Sequence, residues 1–194
     1  MRIKPFKEKI AADGLELRRP ALTTEHAEEM FDVLKRNDFF YPWRFSLSNC
    51  KSPDDCMRLI ETRLAGIAAM TDCYYDIFAD GVYAGEIYAR DIDYENGVVK
   101  NLGYFVDKKF QGRGVASRAV LALEAELWEM GANEIFLFCH FFDSNELNLA
   151  SERVAAKCGY ELFDTVKDAI YDPIGKRHAD EHRFRKTRPI NSEL

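Results

Sequence analysis

The sequence is short of several things that would mark particular classes. None of its five cysteines (Cys50, Cys56, Cys73, Cys139, Cys158) forms a C-x-x-C pair, so a zinc finger or ribbon has no ligand framework. No apolar run approaches the roughly 18 residues that a membrane span requires. None follows the charged residues 1–10 either, so that stretch does not read as a secretory signal. Internal repeats and low-complexity tracts are missing. So is a surplus of positive charge, since 27 Lys and Arg stand against 33 Asp and Glu, a formal net charge of −6. That balance excludes a protein that seeks polyanions with its whole surface, but not one with a local basic groove. The expectation is a reduced, cytoplasmic protein without a membrane, nucleic-acid or metal partner.

What is present fits one globular domain spanning residues 1–194. The chain has 194 residues, 47% hydrophobic and 13% aromatic, which is about one domain in length and too rich in aromatics for disorder. Residues 14–21 alternate Leu15 and Leu17 with polar neighbours, a short strand stopped at Pro20. Thr23 or Thr24 caps a helix with Ala27, Met30, Phe31 and Leu34 on one side. An aromatic, Pro-broken loop (39–45) follows. Ser52 and Pro53 then open a second helix with Met57, Ile60, Leu64, Ile67 and Met70 on its apolar side.

From residue 72 the period changes. Strands at 73–79 and 82–90 are joined at Asp80-Gly81, a hairpin signal, and a third covers 98–106. A long amphipathic helix carries Ala116, Ala119, Val120, Leu123, Leu127 and Met130, ending at Gly131. Residues 134–139 are nearly continuously apolar, a strand expected to be buried on both faces. A helix at 148–157 ends near Gly159, and 160–170 and 177–186 read as sheet edge. The order β-α-α-β-β-β-α-β-α-β-β gives one mixed α/β (α+β) domain.

The chemistry concentrates in residues 101–116, NLGYFVDKKFQGRGVA. A strand runs into a loop with Gly112 and Gly114, and a helix begins at once. Such a junction presents unpaired backbone N–H groups at the positive end of a helix dipole, which suits a phosphate or pyrophosphate. Side chains at the two glycines would hold the anion away from those amides. Lys108, Lys109 and Arg113 add positive charge at the same mouth. A Walker loop needs Gly-Lys followed by Ser or Thr, which is missing, and only two of the three glycines of a dinucleotide fingerprint are present.

Gln111-x-x-Gly114-x-Ala116 resembles the coenzyme A pyrophosphate loop of the GNAT acetyltransferase superfamily, Gln or Arg, two residues, Gly, one residue, Gly or Ala. About thirty residues on, the block from Asn148 through Ser151 to Gly159-Tyr160 resembles that family's N-x-x-S helix ending in Gly-Phe or Gly-Tyr. The pair is most similar to the branch with the ribosomal-protein N-terminal acetyltransferases, strongly in 98–163 and by element order over 14–186. It departs from that branch at Ala116-Ser117-Arg118-Ala119, where Ala-Thr-Glu-Ala is common, and in a longer loop over 141–147.

The resemblance implies a single GNAT domain: a mixed, mostly antiparallel sheet flanked by helices, splayed between its fourth and fifth strands, here 98–106 and 134–139. It implies acetyl-CoA as co-substrate, with no metal. The acceptor would be a primary amine, either a small molecule or a protein N-terminus, and the chain a monomer or homodimer. The amine would attack the thioester directly in a ternary complex, with aromatic loop 39–45 and the second helix roofing the acceptor site. Phe105, Val106, Gln111, Gly112, Arg113, Gly114, Val115, Ala116, Asn148 and Ser151 would hold the cofactor. Ser151 would also protonate the leaving thiolate. Glu86 is the first choice for the base that strips the ammonium, and Tyr104 is a second group for acid or orienting work.

Plainer readings stand beside these. Glu86 fits an ion-pair partner or solvated residue equally well, and Ser151 fits a helix residue bonding a carbonyl four back. His140 reads as a satisfied histidine at the strand's rim. His178 and His182 share a strand face without a third metal ligand. The basic run Arg183, Arg185, Lys186, Arg188 reads as the blocking charges of an edge strand. A non-catalytic acyl-CoA-binding or regulatory module on the same fold is the main rival function, and a general nucleotide-phosphate binder is a third.

Overall fold

The computed structural model describes residues 1, 4–37, 50–142, 148–172 and 175–189. The aromatic loop 39–45 and most of the 141–147 loop lie outside the described residues. Described residues form β1 (Lys9–Ala12), β2 (Leu15–Arg18), α1 (Thr24–Arg36), α2 (Pro53–Ala68), β3 (Cys73–Ala79), β4 (Val82–Asp93) and β5 (Val98–Val106). A 3₁₀ turn at Lys108–Phe110 follows, then α3 (Val115–Glu129), β6 (Glu134–Phe141), α4 (Leu149–Lys157), β7 (Glu161–Asp172) and β8 (Arg177–Thr187). All eight strands join one sheet in the order β1-β2-β3-β4-β5-β6-β8-β7. Only the central pair, β5 with β6, is parallel.

Local chemistry accounts for most boundaries. Thr23 caps α1 by accepting from the His26 amide, and Ser52 caps α2 with a proline in its first turn. Asp80 (φ 53°) and Gly81 (φ 78°) are both left-handed, the two-residue turn whose twist suits a hairpin. Gly159 (φ 79°) follows the end of α4. The larger core lies between the sheet and α3, where Ala119, Val120, Leu123 and Leu127 are fully buried. Each such leucine contributes roughly 1.5–3 kcal/mol by leaving water. A smaller core between the opposite face and α1 and α2 holds Met30, Ile60, Tyr83 and Phe105.

The structure corrects four expectations. β1 pairs with β2, a strand that the charged N-terminal residues do not reveal. α2 buries Cys56, Ile60 and Arg63, so of the expected Met57-Ile60-Leu64-Ile67 stripe Ile60 is fully buried while Met57 and Leu64 are half-buried against the same core. β6 is buried on one face only, because Phe136, Phe138 and His140 on the other are half exposed. β8 is not an edge, since it is inserted between β6 and β7. Its basic residues meet carboxylates: Arg183 meets Asp164 and Glu181, Arg185 meets Glu134, and Lys186 meets Glu124. The backbone ladders to β6 and β7 hold the strand inside the sheet, and these contacts offset its basic charge.

One irregularity shapes the centre. The β3–β4 register shifts at Ile77/Phe78, and Gly85 (φ 144°) lies so close to β5 that a Cβ there would stand 1.9 Å from the Phe105 carbonyl oxygen. Gly85→Ala is therefore expected to cost roughly 3 kcal/mol or more. Gly81→Ala meets nothing within 4 Å and should cost only the left-handed backbone penalty, about 1–2 kcal/mol. Urea unfolding of both variants measures the difference, and equal costs would contradict this account of the bulge.

Candidate active site

The exit of β5 is built around a buried carboxylate. Asp107, fully buried, accepts from Arg36 Nη2 at 2.7 Å and Asn37 Nδ2 at 2.9 Å, which ties the end of α1 to the loop. Burial opposes its charge, but Arg36 and Asn37 outweigh it and hold the carboxyl below its ordinary range. The loop then reaches Gly112 (φ 71°) and Gly114 (φ 72°), and α3 starts with Gly114 as an N-cap that supplies no side-chain bond. A Cβ at Gly112 would meet nothing within 4 Å, and one at Gly114 only the Lys157 ammonium at 3.8 Å. The first amides of α3 thus open onto free space at the positive end of the helix. A pyrophosphate fits this cradle.

The expected loop residues divide by role. Arg113 lies over the Phe110 ring at 5.8 Å at the loop's surface. Gln111 turns its side chain back, donating from Nε2 to the Val106 carbonyl at 3.1 Å, so it braces the loop. Val115 is buried beneath the helix start and Ala116 is half-buried. Lys157, at the end of α4, is a cation that loop-centred reading of the sequence did not include.

Beyond the loop the sheet parts. The β5–β6 ladder ends at Leu102↔Leu137, although β5 continues to Val106 and β6 to Phe141. A cavity of about 460 Å³ occupies the gap. Tyr104, Asn148 and Ser151 line it together with Tyr88, Arg90, His140, Glu181 and Arg183. Ser151 is held by its neighbours: its amide donates to Asn148 Oδ1 at 3.3 Å, and its hydroxyl is 2.9 Å from the Tyr104 hydroxyl. Cys139 donates to the same hydroxyl at 3.1 Å. Burial pushes the Tyr104 phenol well above its ordinary value, so it stays protonated and suits orienting Ser151 through a hydrogen bond, not giving up its proton. Burial also pushes the Cys139 thiol up to about 12.

Glu86 does not line this cavity. It is 3% exposed, beneath α2, where Arg63 Nη2 donates to Oε1 at 2.9 Å while Nη1 contacts Oε2. Beside it His26 Nε2 meets Asp76 Oδ2 at 3.0 Å. The fold thus brings Tyr104, Asn148 and Ser151 together and sets Glu86 apart in an ion pair. The one clue in the sequence to its partner was an arginine at helical spacing from Cys56 and Ile60. Among the described residues no group of three or more His, Cys, Asp or Glu could hold a metal, and His182 is engaged by Glu152 at 2.9 Å.

Burial raises the Glu86 carboxyl to about 7 even against the pull of Arg63. The unfolded carboxyl loses its proton near its ordinary value, whereas the folded one holds it to about 7. Unfolding therefore releases a proton in that window, and this group's contribution to stability falls as pH rises through it. The stability of wild type relative to Glu86→Gln should decline between about pH 5 and pH 7. Urea unfolding at both values measures it, and a constant or rising difference would contradict the assignment.

Comparison with known proteins places this geometry. The family model described as Acetyltransferase (GNAT) domain matches residues 15–161. The microcin C7 self-immunity acetyltransferase MccE, solved with acetyl-CoA and AMP, has a TM-score of 0.81 at 22% identity, covering 91% of this chain and 93% of that one. RimL, a ribosomal L7/L12 α-N-protein acetyltransferase solved with coenzyme A, has a TM-score of 0.78 at 22% identity, covering 93% and 98%. The Salmonella typhimurium acetyltransferase that modifies the N-terminal serine of the same ribosomal protein has a TM-score of 0.80 at 22% identity, covering 94% and 100%. At these identities the likeness is one of fold. No curated protein matches the sequence at a significant level. With the family model spanning most of its length and the sheet parting beside an open glycine cradle, this chain belongs to the GNAT acetyltransferase family.

Proposed function

We propose that this protein transfers an acetyl group from acetyl-CoA to a primary amine in a ternary complex. One observation carries the reading. The strands β5 and β6 part beyond Leu102↔Leu137, and the cavity at that parting is lined by the hydrogen-bonded Ser151–Tyr104 pair, while the open glycine cradle follows the end of β5. Bound there, acetyl-CoA supplies a thioester whose carbonyl carbon is open to a neutral amine.

The amides of Gly112 to Ala116 hold the pyrophosphate, with Arg113 and Lys157 supplying charge. The β5 backbone at Phe105 and Val106, past the last β5–β6 pair, holds pantetheine as an added strand, and the Val106 N–H, on the side away from β4, serves the developing oxyanion. Asn148 positions both the cofactor chain and Ser151. Ser151 gives a proton to the departing sulfur and regains one from the acceptor nitrogen as the amide forms, while Tyr104, kept neutral by burial, holds the Ser151 hydroxyl in place. Direct transfer is favoured over a covalent acyl-enzyme, because Cys139, the thiol against Ser151, is pushed up to about 12 and is a poor nucleophile. Glu86, clamped by Arg63 away from the cavity, is assigned to shaping β4.

The acceptor is a protein N-terminus or a small amine. The charged residues facing it in the cavity are Arg90, Arg183, His140 and Glu181, so the acidic surplus of the chain does not gather there. All five cysteines are free, four of them buried, which fits a reducing cytoplasm. No described helix is long and apolar enough to cross a membrane.

Thiol release across peptides, polyamines and aminoglycosides tests the reading. Wild type should turn over at least one class. Ser151→Ala should lower kcat by about 10²-fold. Gly112→Val should weaken acetyl-CoA binding at least about 10-fold, the loss expected when a side chain displaces an anion from its amides. Tight acetyl-CoA binding with no thiol release from any acceptor would contradict an enzyme and leave a binding module.

A further inference from the structure

We propose that a second cavity, between α1 and the β2–β3 side of the sheet, binds a linear polyammonium ion. It is a different site from the acetyl-transfer cavity and does not depend on that reading.

The cavity has a volume of about 590 Å³, the size of a small-molecule site. It shares no lining residue with the cavity that holds Ser151 and Tyr104. α1 contributes Glu25, Glu29 and Asp32, and β3 contributes Asp76. Positions i, i+4 and i+7 lie on one face of a helix. The three exposed carboxylates of α1 are therefore stacked about 6 Å and about 4.5 Å apart along its axis. That is the spacing of ammonium groups joined by three or four methylenes. Ala21 and Phe78 line the same cavity and offer apolar surface to such methylenes.

Asp76 makes this more than a row of surface carboxylates. It is 2% exposed, and its Oδ2 is met by His26 Nε2 at 3.0 Å, while Oδ1 has no hydrogen-bond partner. The contact with His26 of α1 fixes its direction: the side chain points to the helix side of the sheet, where the cavity lies. A buried carboxylate oxygen without a partner is costly, and a cation in the cavity relieves that cost.

Three arginines also line the cavity, but each is engaged elsewhere. Arg18 donates to Glu16 Oε2 at 2.8 Å, Arg19 to the Phe6 carbonyl at 2.7 Å and Arg36 to Asp107 Oδ2 at 2.7 Å. Among the described residues no Lys or Arg pairs with Glu25, Glu29, Asp32 or Asp76, and His26, 4.0 Å from Glu29, is the one basic group that meets them. The acidic surplus that does not gather in the acetyl-transfer cavity gathers here.

The layout favours an elongated cation over a compact one. Among the described residues no group of three or more His, Cys, Asp or Glu could hold a metal ion. Carboxylates spread along two turns of α1 can each accept from a separate ammonium group of one extended molecule.

Calorimetric titration of the full chain with spermidine, without acetyl-CoA, tests the site. Saturable binding is expected, at least about 10-fold tighter than that of butylammonium, which offers one charge. Glu25→Gln combined with Glu29→Gln, both on the exposed face of α1, should weaken spermidine at least about 10-fold, as expected for the loss of two ammonium–carboxylate contacts. Asp76→Asn should act in the same direction. Coenzyme A affinity of the double variant should be unchanged, which also shows that it is folded. Absence of saturable spermidine binding would overturn the proposal. So would spermidine affinity that the double variant leaves intact, which would place the amine in the acetyl-transfer cavity, or magnesium ion bound as tightly as spermidine. Failure of wild type to bind coenzyme A would overturn the acetyl-transfer reading and leave this site standing.

Discussion

The whole site depends on two strands being fastened to different neighbours. β5 is laddered to β4 as far as Val106, and β6 is laddered to β8 as far as Phe141, yet the two meet each other only up to Leu102↔Leu137. Antiparallel pairing on the outer sides is the stronger constraint, so the strain of a twisting sheet is released at its single parallel seam. The gap therefore has rigid walls. Residues on both strands keep their register while the space between them stays open, and this pre-organises a cavity without the cost of opening one on binding.

Charge is distributed to serve that gap. The chain is acidic overall, but its buried carboxylates are matched: Asp107 by Arg36, Glu86 by Arg63, Glu124 by Lys186. Buried pairs of this kind add little net stability, because desolvation consumes most of the Coulomb gain, but breaking one leaves an isolated charge. Their positions explain their presence. Asp107 locks the loop that leads to the glycines, and Glu86 follows the bulge at Gly85 that brings β4 against β5. At the cradle itself the described cations Arg113 and Lys157 stand beside uncapped amides. An anionic ligand is thus compatible with a chain of formal charge −6.

The local part of this was legible in the sequence. The Asp80-Gly81 turn, the Ser52-Pro53 helix start, the Gly112–Gly114 junction and the Asn148–Ser151 helix are each specified within a few residues, by backbone freedom or capping. What escaped was long-range. Arg63 is an ordinary arginine until the pairing of β3 and β4 sets Glu86 beneath α2. β8 carries alternating charges that suit an edge, and only the placement of β7 outside it makes it internal. His140 and Glu181 are 41 residues apart and meet because of one register between β6 and β8. A slip of one residue in β8 would send Glu181 to the face opposite His140. Periodicity within a segment does not encode which segments pair.

Amide hydrogen exchange with and without coenzyme A tests most directly the claim that the parted strands and the glycine cradle are one ligand site. Slowed exchange is expected at residues 103–106 of β5 and at 112–117 of the loop and α3, with β1 and β2 unchanged. Tight coenzyme A binding that protects neither stretch, or protects β1 and β2 instead, would contradict the account.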